Sequence, residues 1–197
     1  DDAGEDLASF YRPVSRETTV GGVSFAPRFW GDGSPRLTAY EYQGLRGSAC
    51  FVRAGAEKPL TCLTCHSMHD GDPIGMVREE NRTDAPCLGC HGELSGSAAI
   101  ARHTGHAAGS AGSRCYACHM PRVVYGVMAV HRTHLVRVPD PLLTAEKGVP
   151  NACSQCHADR SLAWAVEASR KLWPRRFTSE APLPPVTVHR PPRIEDP

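Results

Sequence analysis

Apolar positions repeat at helical spacing in one clear stretch of the chain. Leu162, Ala165, Val166 and Leu172/Trp173 share a face with the small Ser169, and Pro174 follows. A helix is therefore expected over 159–173, with Asp159 or Ser161 as its N-cap. Elsewhere the apolar runs are short. The longest, Val123–Val130, is broken by Tyr125 and Gly126, far below the roughly 20 residues that span a bilayer. The chain is read as not transmembrane. Over residues 1–49, Val20-Gly21-Gly22-Val23, Gly31-Asp32-Gly33 and Pro35 read as turns between short extended pieces. An irregular cap with one hairpin is expected there. Phe10, Tyr11, Phe25, Phe29, Trp30, Tyr40 and Tyr42 gather aromatic surface in it, enough for a small local core. Six Pro between residues 181 and 197 point to an extended polyproline-type arm or a disordered tail.

Composition sharpens this pattern. Of 197 residues, 18 are Gly, 17 are Pro and 41% are apolar. Such a chain is loop-rich and short of core side chains, so something other than side chains is needed to fill its centre. The net charge of +1 carries no basic excess of the kind nucleic-acid binding demands.

Nine Cys and ten His supply the candidate filling. Eight Cys fall in four identical frames: Cys62/Cys65/His66, Cys87/Cys90/His91, Cys115/Cys118/His119 and Cys153/Cys156/His157. Each is Cys-x-x-Cys-His, the frame of c-type haem attachment. Two thiols three positions apart reach the two vinyl groups of one haem, and the adjacent imidazole ligates the iron. Paired Cys can also bind zinc or form disulfides. Neither use calls for His after the second Cys four times over, so four covalent haem c groups are the expected cofactors. The His spacings of 25, 28 and 38 residues leave no room for separate apolar cores, so haem faces should supply most of the buried area. The apo-chain is then expected to be unfolded. The expected fold is mostly irregular with short α-helices, little β, and four stacked haems at its centre. It divides into a cap (1–49), a tetrahaem domain (50–173) and a Pro-rich arm (174–197). The helix after His157 should pack over the fourth haem, and the cap aromatics can meet a haem edge. Covalent attachment in bacteria takes place outside the cytoplasm, which implies a removed leader and a periplasmic or extracellular location. Cys50 is left over, as a small packed residue, an intermolecular disulfide partner or a reactive thiol.

Four irons need further ligands. Six His lie outside the frames, and Met68, Met76, Met120 and Met128 are the thioether alternatives. Six His for four irons favours bis-His ligation, which holds the potential below that of His/Met. His69 lies three residues beyond His66 and suits a neighbouring haem rather than its own. His103/His106 and His131/His134 repeat the i, i+3 spacing, so each member can serve a different haem. His69, His103, His106 and His134 are the first choices. His131 and His189 are reserves, and His189 is also a candidate ligand for a neighbouring subunit.

Segments Arg28–Gly44, Cys62–His69, Gly112–Pro121 and Pro150–His157 together resemble the C-terminal part of bacterial multihaem c-type cytochromes. This group is similar to the tetrahaem cytochrome of hydroxylamine oxidation and, more distantly, to pentahaem nitrite reductases. The resemblance covers residues 25–173. It implies a multihaem fold and aligns the family's additional His with His69, His103, His106 and His134. Three roles follow as expectations. The first is electron transfer along four closely spaced haems, with redox proteins as partners. Eight ionised propionates would carry the net charge to about −7 and favour partners with basic patches. The second is a subunit of a conductive filament built head to tail, motivated by the Pro-rich arm, His189 and Cys50. The third, a small-molecule reductase, needs an open iron position. Six spare His argue against it. So does the absence from every frame of the Lys expected at a nitrite reductase's active haem.

Overall fold

The computed structural model describes residues 9–37, 40–54, 60–67, 69, 75–126 and 129–177. Two two-stranded antiparallel hairpins and a series of short helices are joined by irregular chain. Strands β1 (Thr19–Val20) and β2 (Val23–Ser24) form the hairpin expected in the cap. Gly21 and Gly22 make its turn at φ of +57° and +81°, values that only glycine adopts without strain.

Helices α1 (Glu41–Gly47) and α2 (Ala49–Ala54) follow. They straddle the residue 49/50 division, where the sequence pattern showed only irregular chain. Ser48 joins them and is fully buried. Its Oγ lies 2.9 Å from the carbonyl oxygens of Gly44 and His134 and accepts the Val136 N–H at 2.8 Å. The cap is thus packed on the body. A second link runs from Asp32 to Arg137, 2.6 Å apart, and a third from the Gly31 N–H to the Lys147 carbonyl, 3.2 Å.

The body carries α3 (Cys62–Cys65), α4 (Ala85–Leu88), α5 (Ser97–Thr104), α6 (Cys115–His119), α7 (Leu142–Lys147) and α8 (Leu162–Leu172). The apolar stretch after α6 folds as a hairpin, β3 (Arg122–Tyr125) on β4 (Ala129–Arg132). Between the two expected caps of α8, the structure selects Ser161, whose Oγ accepts the Trp164 N–H at 3.2 Å. Ala165, Val166 and Ser169 form its buried face, on the periodicity read from the sequence. Among the described residues the buried apolar set is small: Phe29, Ala145, Val149, Ala165, Val166 and Phe177. Phe29 stacks on Tyr40 with ring centroids 5.5 Å apart, a local cap core. Phe10, at 62% exposure, takes no part in a core. No helix among the described residues is long and apolar enough to cross a membrane. Residues 178–197, which include His189 and most of the Pro-rich arm, lie outside the described residues.

Candidate functional site: paired imidazoles at the CxxCH frames

Each frame is positioned by its own local structure. In the first, α3 is capped by Thr61, whose N–H donates to Thr64 Oγ1 at 2.9 Å. Asn81 closes the other end, donating to the Thr64 and Cys65 carbonyls at 3.0 and 3.2 Å. His66 then leaves the helix in extended conformation. Its Nδ1 is 2.7 Å from the Gly75 carbonyl oxygen.

The second and third frames share a fastening. Asp84 precedes α4, and its Oδ1 accepts the Cys115 N–H at 2.9 Å, while Oδ2 lies 3.6 Å from Arg114. Cys87 feels burial, Cys115, Asp84 and Cys65, which together push its thiol up to about 12. Burial also raises Cys65, Cys115, Cys118 and Cys153. Cys118 additionally feels Cys153 and Cys156. Cys87 and Cys115 share a side-chain hydrogen bond, so the second and third frames are in contact. His119 ends α6 with its Nδ1 2.9 Å from the Arg137 carbonyl. Arg132 holds the same helix end, donating to the Tyr116 and Met120 carbonyls at 3.1 Å each and lying over the Tyr116 ring.

Not every attachment thiol is enclosed by this contact. Cys62, Cys90 and Cys156 are exposed, while the other frame Cys are half-buried. For Cys90 the reason is local. Helix α4 stops at Leu88, and the Cys90 N–H turns back to the Cys87 carbonyl at 3.1 Å. This tight turn keeps Cys87 inside and carries Cys90 and His91 to the surface. The second frame is thus split, with one thiol against the third frame and the other facing outward.

The fourth frame is a 3-10 turn, Cys153–Gln155, capped by Asn151 Oδ1 on the Ser154 N–H at 3.0 Å. His157 packs on Trp164 of α8, centroids 4.8 Å apart. The expected proximity of that helix to the fourth frame is present.

Three spare His stand opposite three frame His. His66 faces His134 at 6.1 Å between ring centroids, His103 faces His119 at 6.1 Å, and His106 faces His157 at 6.0 Å. The paired rings are inclined by 26°, 13° and 33°. Two imidazoles sharing one metal ion need two bonds of about 2.0 Å and two ring radii of about 1.1 Å, roughly 6.2 Å in all. The observed separations fit that requirement. Burial lowers the proton affinity of His103 and His134, favouring the neutral form that coordinates. His66, His106 and His119 each direct Nδ1 to a backbone carbonyl, that of Thr104 in the case of His106, at 2.8 Å. A carbonyl only accepts, so Nδ1 carries the proton and Nε2 keeps the lone pair for a metal. The donor set therefore fits axial ligation of haem iron. Among the described residues no group of three or more His, Cys, Asp or Glu gathers to hold a metal ion. The imidazoles meet in twos.

The i, i+3 pairs behave differently from one another. His103 lies in α5, while His106 follows Gly105, whose φ of +71° ends that helix. The two therefore face different frames. His134 faces the first frame, whereas His131 lies on β4 with Nδ1 3.4 Å from Glu41. His69 is exposed and faces no frame His among the described residues. His91 is 57% exposed with Nδ1 3.5 Å from Glu93, and no second imidazole among the described residues stands opposite it. Cys50 is half-buried in α2.

Several supports have no signature in the sequence. Trp173 Nε1 donates to the His103 carbonyl at 2.8 Å, tying α8 to α5. Ser48 fastens the backbone at His134 from 86 residues away. Arg137 offers its carbonyl to His119 and its guanidinium to Asp32.

Residues 53–96 match the family model of the doubled CXXCH motif. The match spans the first two frames, and a doubled motif of this kind indicates covalently bound haem c. No curated protein and no solved structure matches the chain.

Proposed function

We propose that this chain transfers electrons through four covalently bound c-type haems. The observation that supports it most is the meeting of three frame His with three spare His at 6.0–6.1 Å. In this reading Cys62/Cys65, Cys87/Cys90, Cys115/Cys118 and Cys153/Cys156 hold the four haems by thioethers. His66 with His134, His119 with His103, and His157 with His106 ligate three irons, and His91 binds the fourth. Bound haem supplies a one-electron ferric/ferrous couple. The chain's residues fix the imidazoles through the Gly75, Thr104 and Arg137 carbonyls and hold the second and third frames together. An exported location, periplasmic or extracellular, and redox-protein partners go with this reading. Intact-mass analysis of native protein should give the polypeptide plus four haems, and oxidised spectra should be dominated by low-spin iron. A mass excess of two haems, or a mainly high-spin spectrum, would defeat the proposal.

His91 supports a second reading of one site. Its exposure, with no imidazole facing it among the described residues, suits an iron that takes an external ligand, either a small molecule to be reduced or a His such as His69 from a second copy. The latter would build head-to-tail filaments. Electron micrographs of native material separate the two. Filaments support shared ligation, and discrete particles with one high-spin iron support the reductase.

A further inference from the structure

Between the third and fourth frames lies a contact that ordinary side chains would not permit. Gly112 is part of the 3-10 turn Ala111–Ser113 that leads into α6. A Cβ built on Gly112 would collide with His106 Cδ2 and lie 2.6 Å from its Cγ and 2.8 Å from its Nε2. Ordinary carbon contacts begin near about 3.5 Å, so roughly an ångström must be found somewhere. The backbone of Gly112 is not left-handed, and the requirement is one of space alone.

Neither side is free to retreat. His106 is held by Thr104, whose carbonyl receives Nδ1–H at 2.8 Å and whose Oγ1 accepts the His106 N–H at 3.1 Å. Thr104 is itself buried and bonded to the Ile100 carbonyl at 2.9 Å. On the other side Ser113 is buried, with its Oγ on the Ser110 carbonyl at 2.8 Å. Two residues on, the Cys115 N–H is pinned to Asp84 at 2.9 Å.

We propose that Gly112 is a positioning residue for the fourth haem: its missing side chain lets the His106 ring stand against the turn that begins the third frame. A metal–imidazole bond of about 2.0 Å does not survive a displacement of roughly an ångström, so any side chain here sets the third frame's attachment against the fourth iron's ligand. This inference rests on the assignment of His106 and His157 as one axial pair.

The test uses the haem-loaded protein and counts carbon monoxide bound per fully reduced chain, with low-temperature electron paramagnetic resonance of the oxidised form. Gly112→Ala should bind one more carbon monoxide than the parent and convert one low-spin iron to high-spin. His106→Ala should do the same. Gly96→Ala, where a Cβ meets nothing within 4 Å, should match the parent. If His106→Ala gains a site and Gly112→Ala does not, the role of Gly112 is overturned while the axial pair stands. If His106→Ala gains none, the pair itself fails and the inference falls with it. Should Gly112→Ala fail to accumulate, the double variant Gly112→Ala/His106→Gly removes the opposing ring. It should recover parental yield, and failure to recover would overturn the proposal.

Discussion

Asp32 sits in the cap, yet its carboxylate reaches the chain that holds His119. Oδ2 accepts from Arg137 at 2.6 Å, while Oδ1 accepts the Ser34 N–H at 2.9 Å and Ser34 Oγ–H at 2.6 Å. The pair is partly buried, with 11% of the Asp32 side chain and 31% of the Arg137 side chain exposed. Burial pushes the carboxyl up, but the hydrogen bonds from Ser34 and Arg137 outweigh it and hold the group below its usual 3.8. Exposed pairs contribute about 0–1 kcal/mol, and breaking a fully buried one costs about 3–5 kcal/mol. Asp32→Asn should therefore cost about 1–2 kcal/mol at pH 7, or roughly 2–8 °C in Tm for a chain of this size. The folded-state pKa is depressed. The stabilisation is therefore complete above the unfolded value and is lost as pH falls through the lower folded value. The variant should differ from the parent at pH 5 and above, and converge with it as pH falls below the carboxyl's lowered folded-state value. Denaturant unfolding of haem-loaded protein, followed by the Soret band, measures both limbs. Equal stability at pH 7, or a deficit undiminished in acid, would refute the reasoning.

Other substitutions probe the supports of individual imidazoles. Trp173→Phe removes the bond to the His103 carbonyl and should cost about 1 kcal/mol, measured by the same unfolding assay. Gly44→Ala would set a Cβ 2.9 Å from the Leu135 nitrogen and 3.0 Å from the His134 carbonyl carbon. Backbone cannot yield cheaply, so about 1–3 kcal/mol should be lost, with a changed spectrum of one haem. His103→Met should raise one of the haem potentials, because a thioether ligand favours the ferrous state. Redox titration with no component shifted upward would contradict the His103–His119 pairing.

The legible parts of this molecule were those written in local pattern. The four frames are contiguous, the α8 face repeats at helical spacing, and Gly21-Gly22 marks its hairpin. The pairing of His103 and His106 with different frames follows from Gly105, which ends α5 between them, a break that i, i+3 spacing alone does not reveal. What stayed hidden depends on distant segments. Ser48 meets His134 and Asp32 meets Arg137 across 86 and 105 residues, and a serine or a charged pair looks alike wherever it lands. The β3–β4 hairpin was obscured because its cross-strand pair Val124 and Val130 is apolar yet exposed, at 49% and 57%. The second frame reads in sequence like the other three, yet it alone carries its frame His, His91, exposed at the surface. The exposure of His69 and the approach of His131 to Glu41 are likewise not written in the i, i+3 spacing.

The central claim is the identity of the axial pairs. A high-resolution structure of the haem-loaded native protein tests it most directly. The expected result is His66 with His134, His119 with His103, and His157 with His106 on the two sides of three irons. Finding any of these irons bound by Met120, His69 or His131 instead, or finding a frame without haem, would contradict the account.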